Sequence, residues 1–314
     1  LDPKDAFAAR ALSAVEAGRS LDLIYYIWKT DTSGWLLMAD LLRAADRGGR
    51  VRLLLDDVNV QGFDLAFLGL NQHPNIEVRL FNPFTLRRYR QLNYLFDFFR
   101  LNRRMHNKSF TVDGSVTIVG GRNIGDIYFE TGGPLSYVDL DVLAVDPAAK
   151  DVGADFSRYW SSPAAFAASA LITPQAGSET LLQARDAALR DTPAGRRYAE
   201  YVHSSAFSDA LMVMTLPMDW VPVQLFSDAP EKVLGGDQDS DLMIRRLFAE
   251  IGTPHSSLDL ISAYFIPGAS ATAQLAGYAA QGVRVRVLTN ALEATDVAIV
   301  HSAYAPYRRD LLAG

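Results

Sequence analysis

The chain has 314 residues, 49% of them hydrophobic and 21% charged, with a net charge of −6 and no cysteine. This composition fits one large or two medium globular α/β domains and excludes a disordered chain. The acidic balance argues against a surface coated in nucleic acid, and the lack of cysteine removes thiolate nucleophiles, disulfides and Cys-ligated zinc.

No apolar run reaches the ~20 residues that a bilayer crossing needs. The sequence starts at Leu1 rather than methionine, so an upstream signal or anchor stays open.

In chain order, the first element is Ser-Leu-Asp-Leu-Ile at 20–24, which continues into an aromatic run, Tyr25, Tyr26, Ile27 and Trp28. A helix-length stretch over 34–46 ends at Gly48, and a β-branched strand, Arg-Val-Arg-Leu-Leu-Leu, fills 50–55. Strand, helix, glycine stop and strand spell a βαβ unit with parallel pairing.

Residues 83–108 follow, with Arg87, Arg88, Arg90, Arg100, Arg103, Arg104 and Lys108 against Asp97 alone, a net +6. Leu92, Leu95, Phe96 and Phe99 fall at helical spacing among them, which predicts an amphipathic helix with cationic ends. Two readings stay open: an attachment surface for anionic headgroups through Arg100, Arg103 and Arg104, or a core-packing helix with a solvated charged face.

Residues 106–123 read HNKSFTVDGSVTIVGGRN. Alternation from 109 to 112, Asp113-Gly114, and then Val116, Ile118 and Val119 predict two strands joined by a tight hairpin turn. His106 and Lys108 are two apart and share a face of a strand. Gly120-Gly121 allows a tight bend near a ligand, and Asn123 can donate its amide there. An imidazole, an ammonium and an amide together suit a phosphate: lysine supplies charge, asparagine direction, and histidine can attack phosphorus or pass a proton. Such a scheme needs no metal or cofactor, and the sequence offers no ligand cluster for one.

Residues 166–245 carry no motif. Helical patterning from Leu181 to Tyr201, a strand-like run near Leu211–Leu216 and a mobile acidic loop, DAPEKVLGGDQDSD, are expected there, as a connector. Ser-Leu-Asp-Leu-Ile then recurs at 257–261, followed by Tyr264, Phe265 and Ile266, a helix over 269–280, Gly282 and Arg-Val-Arg-Val-Leu at 284–288. The repeat predicts domains at 1–165 and 246–314 around the 166–245 connector.

The frame His-x-Lys-(x)4-Asp-(x)6-Gly-Gly-x-Asn, carried by His106, Lys108, Asp113, Gly120, Gly121 and Asn123, resembles the HKD motif of the phospholipase D superfamily. The text around it, with YYIW, VDLDVLAV at 138–145 and YFIPG at 264–268, is similar to the bacterial cardiolipin synthase branch. The resemblance implies a two-lobed α/β sandwich of mixed sheets flanked by helices. It also implies two HKD motifs facing each other, one histidine forming a phosphohistidine while the other protonates the leaving alcohol. Lys108 and Asn123 then stabilise the equatorial oxygens, and a carboxylate, best matched by Asp139 with Asp141 as the other candidate, orients His106. Asp113 is expected to fix the turn.

Of the five histidines, only His106 has a lysine two residues on. The repeat places a second His-x-Lys at about position 340, so the second lobe is expected to be incomplete and the 1–314 fragment inactive alone, unless two chains pool their motifs as a homo-oligomer. The implied function is phosphatidyl transfer on a phosphatidylglycerol-like anionic lipid, with peripheral contact at the bacterial inner membrane. The rivals are a phosphodiesterase acting on phospholipid or nucleic acid, and a non-catalytic lipid-binding or scaffold protein.

Overall fold

The computed structural model describes residues 1–60, 62–129, 137–173, 178–235, 242–295 and 297–313. They divide into two compact units, Leu1–Met243 and Ile244–Gly314.

The first unit opens with α1 (Pro3–Glu16), capped by Asp2, whose carboxylate accepts from the Asp5 N–H. The predicted βαβ unit follows as β1 (Ser20–Tyr25), α2 (Thr32–Asp46) and β2 (Arg50–Asp56). Asp31 caps α2, and the chain leaves it through Gly48 at φ +99, a conformation that a side chain resists. Next come α3 (Asp64–Gln72), β3 (Ile76–Phe81), and two short turns of helix, α4 (Arg90–Asn93) and α5 (Phe98–Leu101). The hairpin is β4 (Ser109–Val112) and β5 (Val116–Gly120), followed by β6 (Asp141–Val145), α6 (Ala148–Trp160), β7 (Ala165–Ala167) and α7 (Ala168–Leu171). Helices α8 (Ser178–Arg190), α9 (Pro193–His203) and α10 (Ala206–Met212) complete the unit.

The strands form one mixed sheet in the order β6-β5-β4-β1-β2-β3-β7, with β1, β2 and β3 parallel. β1 is central, and its run of Leu21, Leu23, Ile24 and Tyr25 is buried on both sides, as expected for a strand covered by helices on each face. Leu21, Leu23, Leu53 and Leu55 meet Phe7, Leu37, Leu41 and Phe67 in the main core. On the opposite face, Ile24, Leu54 and Phe81 meet Met105 and the Phe156 and Trp160 rings of α6.

Three expectations change. The 166–245 stretch is not a bare connector: β7 pairs with β3, while α8 packs on α2 and α3 and contributes Leu182 to the core. Helix α10 ends at Met212 and no strand follows it at Leu211–Leu216. The first part of the acidic loop is a 3-10 helix, Pro230–Leu234, anchored by buried Val233; residues 236–241 lie outside the described residues.

The second unit holds α11 (Met243–Ile251, which begins at the boundary), β8 (Ser257–Ile261), α12 (Gly268–Ala280), β9 (Arg284–Leu288), α13 (Ala298–Tyr304) and α14 (Arg308–Ala313). β8 and β9 pair in parallel with Ser257 opposite Arg284 and Asp259 opposite Arg286. The register matches β1 and β2, where Ser20 faces Arg50 and Asp22 faces Arg52. Even the ion pair repeats: Arg52 grips Asp22 through two 2.7 Å bonds, and Arg286 grips Asp259 at 2.6 and 2.7 Å. The duplication read from sequence is thus a duplication of strand register.

Candidate active site

β4 runs antiparallel to β1, and β5 antiparallel to β4, so several chain ends meet at one edge of the sheet. Tyr26 leaves β1 there, Asp56 ends β2, His106 and Lys108 lead into β4, Gly120-Gly121-Arg122-Asn123 leave β5, and Asp139 precedes β6. This is the carboxyl edge of the parallel strands, where open α/β sheets bind ligands.

His106 and Lys108 lie just before β4, in chain that belongs to no helix or strand, so the shared strand face expected for them is not formed as such. The Lys108 ammonium donates to His106 Nδ1 at 2.9 Å and to its carbonyl at 2.6 Å. An ammonium can only donate, so Nδ1 accepts and the neutral ring carries its proton on Nε2. The Tyr26 ring lies against the imidazole, with centroids 4.5 Å apart. Burial of the ring's inner side, and then the Lys108 charge, push the His106 pKa down to about 4. Lys108 is only 8% exposed, and its burial lowers its pKa to about 8, with Asp139 opposing.

Asp56 was not singled out in the sequence. Its fully buried carboxylate accepts from the Met105 N–H at 3.0 Å and from Arg104 Nη1 at 3.2 Å, fixing the backbone beside His106. Burial outweighs the arginine and raises its pKa to about 7. An acidic pair, Asp56-Asp57, closing an apolar strand at its carboxyl end was the signal that could have found it.

Asn123 is buried, and its amide is already engaged: Oδ1 accepts from the Ile27 N–H at 2.9 Å and Nδ2 donates to the Tyr128 hydroxyl at 3.2 Å. With the Lys29-to-Ile124 backbone bond, this stitches the turn after β5 to the chain leaving β1. Gly120 and Gly121 do more than bend. A Cβ on Gly121 would sit 2.0 Å from the Asp139 carboxylate, and one on Gly120 would sit 2.4 Å from the Leu140 carbonyl.

Asp139 and Asp141 differ in their surroundings: Asp139 is half-buried in the segment before β6, and Asp141 is buried at the start of that strand. Asp141, the other candidate, is fully buried between Arg10, at 2.8 Å, and Arg122, at 3.6 Å, so its carboxylate is held by two arginines. Half-buried Asp139 accepts from the Leu140 N–H at 2.9 Å and acts electrostatically on Lys108. Asp113 accepts from the backbone N–H groups of Gly18, Arg19 and Ser20 at 2.7–3.0 Å. Partial burial alone would raise its pKa; the three bonds outweigh this and lower it.

The predicted amphipathic helix over 83–108 is absent. Short turns replace it, and its cations point inward: Arg100 binds Asp97 and the Asn82 side chain, while Arg104 binds Asp56 and the Asn82 carbonyl. Of the three proposed headgroup contacts, only Arg103 is exposed.

A cleft of about 420 Å³ opens beside His106 and Lys108, walled by Asp155 and Tyr159 of α6 and by Ser227 and Lys232. Ser227 Oγ donates to Asp155 at 3.0 Å, and the Tyr159 hydroxyl donates to the Asp228 carbonyl at 3.0 Å, so the 225–233 segment is fastened to α6 as a cleft wall.

At the carboxyl edge of the mixed sheet a buried lysine thus lies against a neutral histidine beside a cleft. Residues 13–160 match the family model described as "Cardiolipin synthase, PLD-like domain". The chain is 47% identical to cardiolipin synthase C of Escherichia coli (strain K12) over 98% of its own length and 65% of that relative. It is 33% identical to a cardiolipin synthase of Listeria monocytogenes serotype 4b over 44% of this chain and 27% of the relative. In fold it is similar to the phosphatidylserine synthase of Haemophilus influenzae Rd KW20, with a TM-score of 0.58 at 13% identity, covering 98% of this chain and 66% of that one. Residues 13–160 thus match a phospholipase D-like domain of the cardiolipin synthase kind, and the similarity to cardiolipin synthase C extends over nearly the whole chain.

Proposed function

We propose that this chain supplies one half-site of a phosphatidyltransferase of the cardiolipin synthase type, with His106 as the nucleophile. The observation that carries the reading is His106 held neutral against a buried ammonium within a cleft. A proton donor would need to be charged near neutral pH, and a pKa of about 4 keeps His106 in its basic form.

In the resting arrangement Lys108 occupies Nδ1. A phosphodiester entering the cleft draws the ammonium onto an equatorial oxygen and frees Nδ1 to carry the ring proton; Asp139, which at rest acts on Lys108 and not on the ring, would have to turn to hold it. Nε2 then attacks phosphorus: the N–P bond forms, the P–O bond to the leaving alcohol breaks, and that oxygen takes a proton from the histidine of a second half-site. The hydroxyl of a second lipid attacks in turn, returning its proton to that histidine as the N–P bond breaks. Asn123 keeps the turn after β5 in place.

Among the described residues no helix is long and apolar enough to cross a membrane. Because its proposed substrates are lipids, the reading puts the site at the face of a bacterial inner membrane. Incubating the full-length protein with labelled phosphatidylglycerol should yield cardiolipin, and His106→Ala should abolish it. Phosphatidic acid as the product would instead favour the hydrolytic alternative, and no turnover would favour a lipid-binding role.

A further inference from the structure

The loop between β3 and β4 has its charges turned inside. Arg87 pairs with Asp57 and Asp64, Arg90 with Asp57, Arg100 with Asp97 and Arg104 with Asp56; the Asp56 and Asp57 side chains are fully buried. Buried Asn93 knots the loop: its Oδ1 accepts from the Leu86 N–H, and its Nδ2 donates to the Leu86, Tyr89 and Arg90 carbonyls at 3.0–3.2 Å. Phe84 sits beneath, with the Arg90 and Arg104 guanidinium groups 4.9 and 5.1 Å from its ring.

This ordered scaffold presents apolar side chains to the outside. Leu95 is 82% exposed, Phe99 80% and Phe96 63%, with Tyr89, Leu92 and Phe98 also exposed. The rings are continuous, Phe84 to Tyr94 to Phe98 to Phe99, at centroid distances of 5.7–6.5 Å. Contiguous exposed apolar surface of this kind marks an interaction site rather than chance exposure.

Charge and position favour one occupant. Exposed Arg103 makes no ion pair among the described residues and directly precedes Arg104 and Met105, which line the His106 cleft. An apolar, aromatic face with a cation at its margin complements the acyl and headgroup levels of an anionic bilayer. We propose that the 86–99 loop enters the interfacial region of an anionic phospholipid bilayer, with Arg103 at headgroup level, so that the His106 cleft meets the membrane from which substrate comes. The proposal rests on the phospholipid reading of the substrate.

The test is co-sedimentation of the 314-residue chain with vesicles of phosphatidylglycerol mixed into phosphatidylcholine, and with phosphatidylcholine alone. The chain should bind the anionic vesicles. Joint replacement Leu95→Ser, Phe96→Ser and Phe99→Ser should weaken binding about tenfold or more, and Arg103→Gln should reduce the preference for anionic vesicles several-fold. Phe99→Trp should show blue-shifted emission quenched by brominated lipid, a readout that does not depend on the triple variant folding. His106→Ala should bind like the parent, so a failure of the catalytic reading leaves this result standing. Unchanged binding by the triple variant, an unquenched tryptophan at 99, or a dimer that the triple variant dissolves in analytical ultracentrifugation would overturn the proposal; the last would assign the face to a second copy.

Discussion

At the scale of single residues, the site is a contest between burial and charge. Desolvation and Lys108 hold His106 neutral down to about pH 4, while Lys108 keeps its proton up to about pH 8. On the proposed mechanism activity should rise as pH passes 4, where His106 loses its proton, and fall above 8, where Lys108 loses its charge. A pH–rate profile reads both limbs, and Lys108→Met should lower kcat by about 10²–10³-fold. Asp56 gives a second pH effect of opposite origin. Its folded-state pKa, about 7, lies above the unfolded value, so its contribution to stability is complete below about pH 4 and is lost as pH rises towards 7. Asp56→Asn should flatten that part of a plot of melting temperature against pH, and should lower kcat more than it changes KM, because Asp56 holds the Met105 N–H and not the substrate.

At the scale of elements, the hairpin and the two βαβ units were legible because their signals are local. Asp113 and Gly114 both take positive φ, +53 and +68, as a two-residue turn with this pair demands. Asp113→Ala should cost about 1–3 kcal/mol in urea denaturation through the N–H groups it leaves unpaired. The carboxylate's lowered pKa means that this support is present above about pH 4 and fades as pH falls through the folded value. Gly120→Ala should destabilise more than Gly121→Ala, about 1–3 kcal/mol for the first, because it strikes the Leu140 carbonyl whereas Gly121 faces an Asp139 side chain that can swing away.

Other elements were illegible for physical reasons. Helix α1 is buried on most sides, from Ala6 through Leu12, so it carries little periodic contrast. The 83–108 segment has helical spacing, but its arginines answer to Asp56, Asp57 and Asp64, acids distant in sequence that no local pattern reveals. The same holds for the site. The His-x-Lys frame was visible; the engagement of Asn123 with Ile27 and Tyr128, and the burial of Asp141 between two arginines, depend on strands brought together by the sheet.

At the scale of the whole molecule, the register of β1–β2 recurs in β8–β9, and this repeat is what supports the proposal that the site is one of two. The chain spans 65% of the length of its E. coli relative, and a single His-x-Lys lies within it. Supplying the 314-residue chain with no second half-site should leave it unable to turn over phosphatidylglycerol, and product formation by the purified chain would mean that two copies complete one site.

The central claim, that His106 attacks phosphorus, is tested most directly by trapping the intermediate. The full-length protein, mixed with phosphatidylglycerol labelled in its phosphate and quenched in alkali within milliseconds, should carry acid-labile, alkali-stable label that peptide mass spectrometry places on His106. Label on a different histidine, with His106 unmodified throughout turnover, would contradict it.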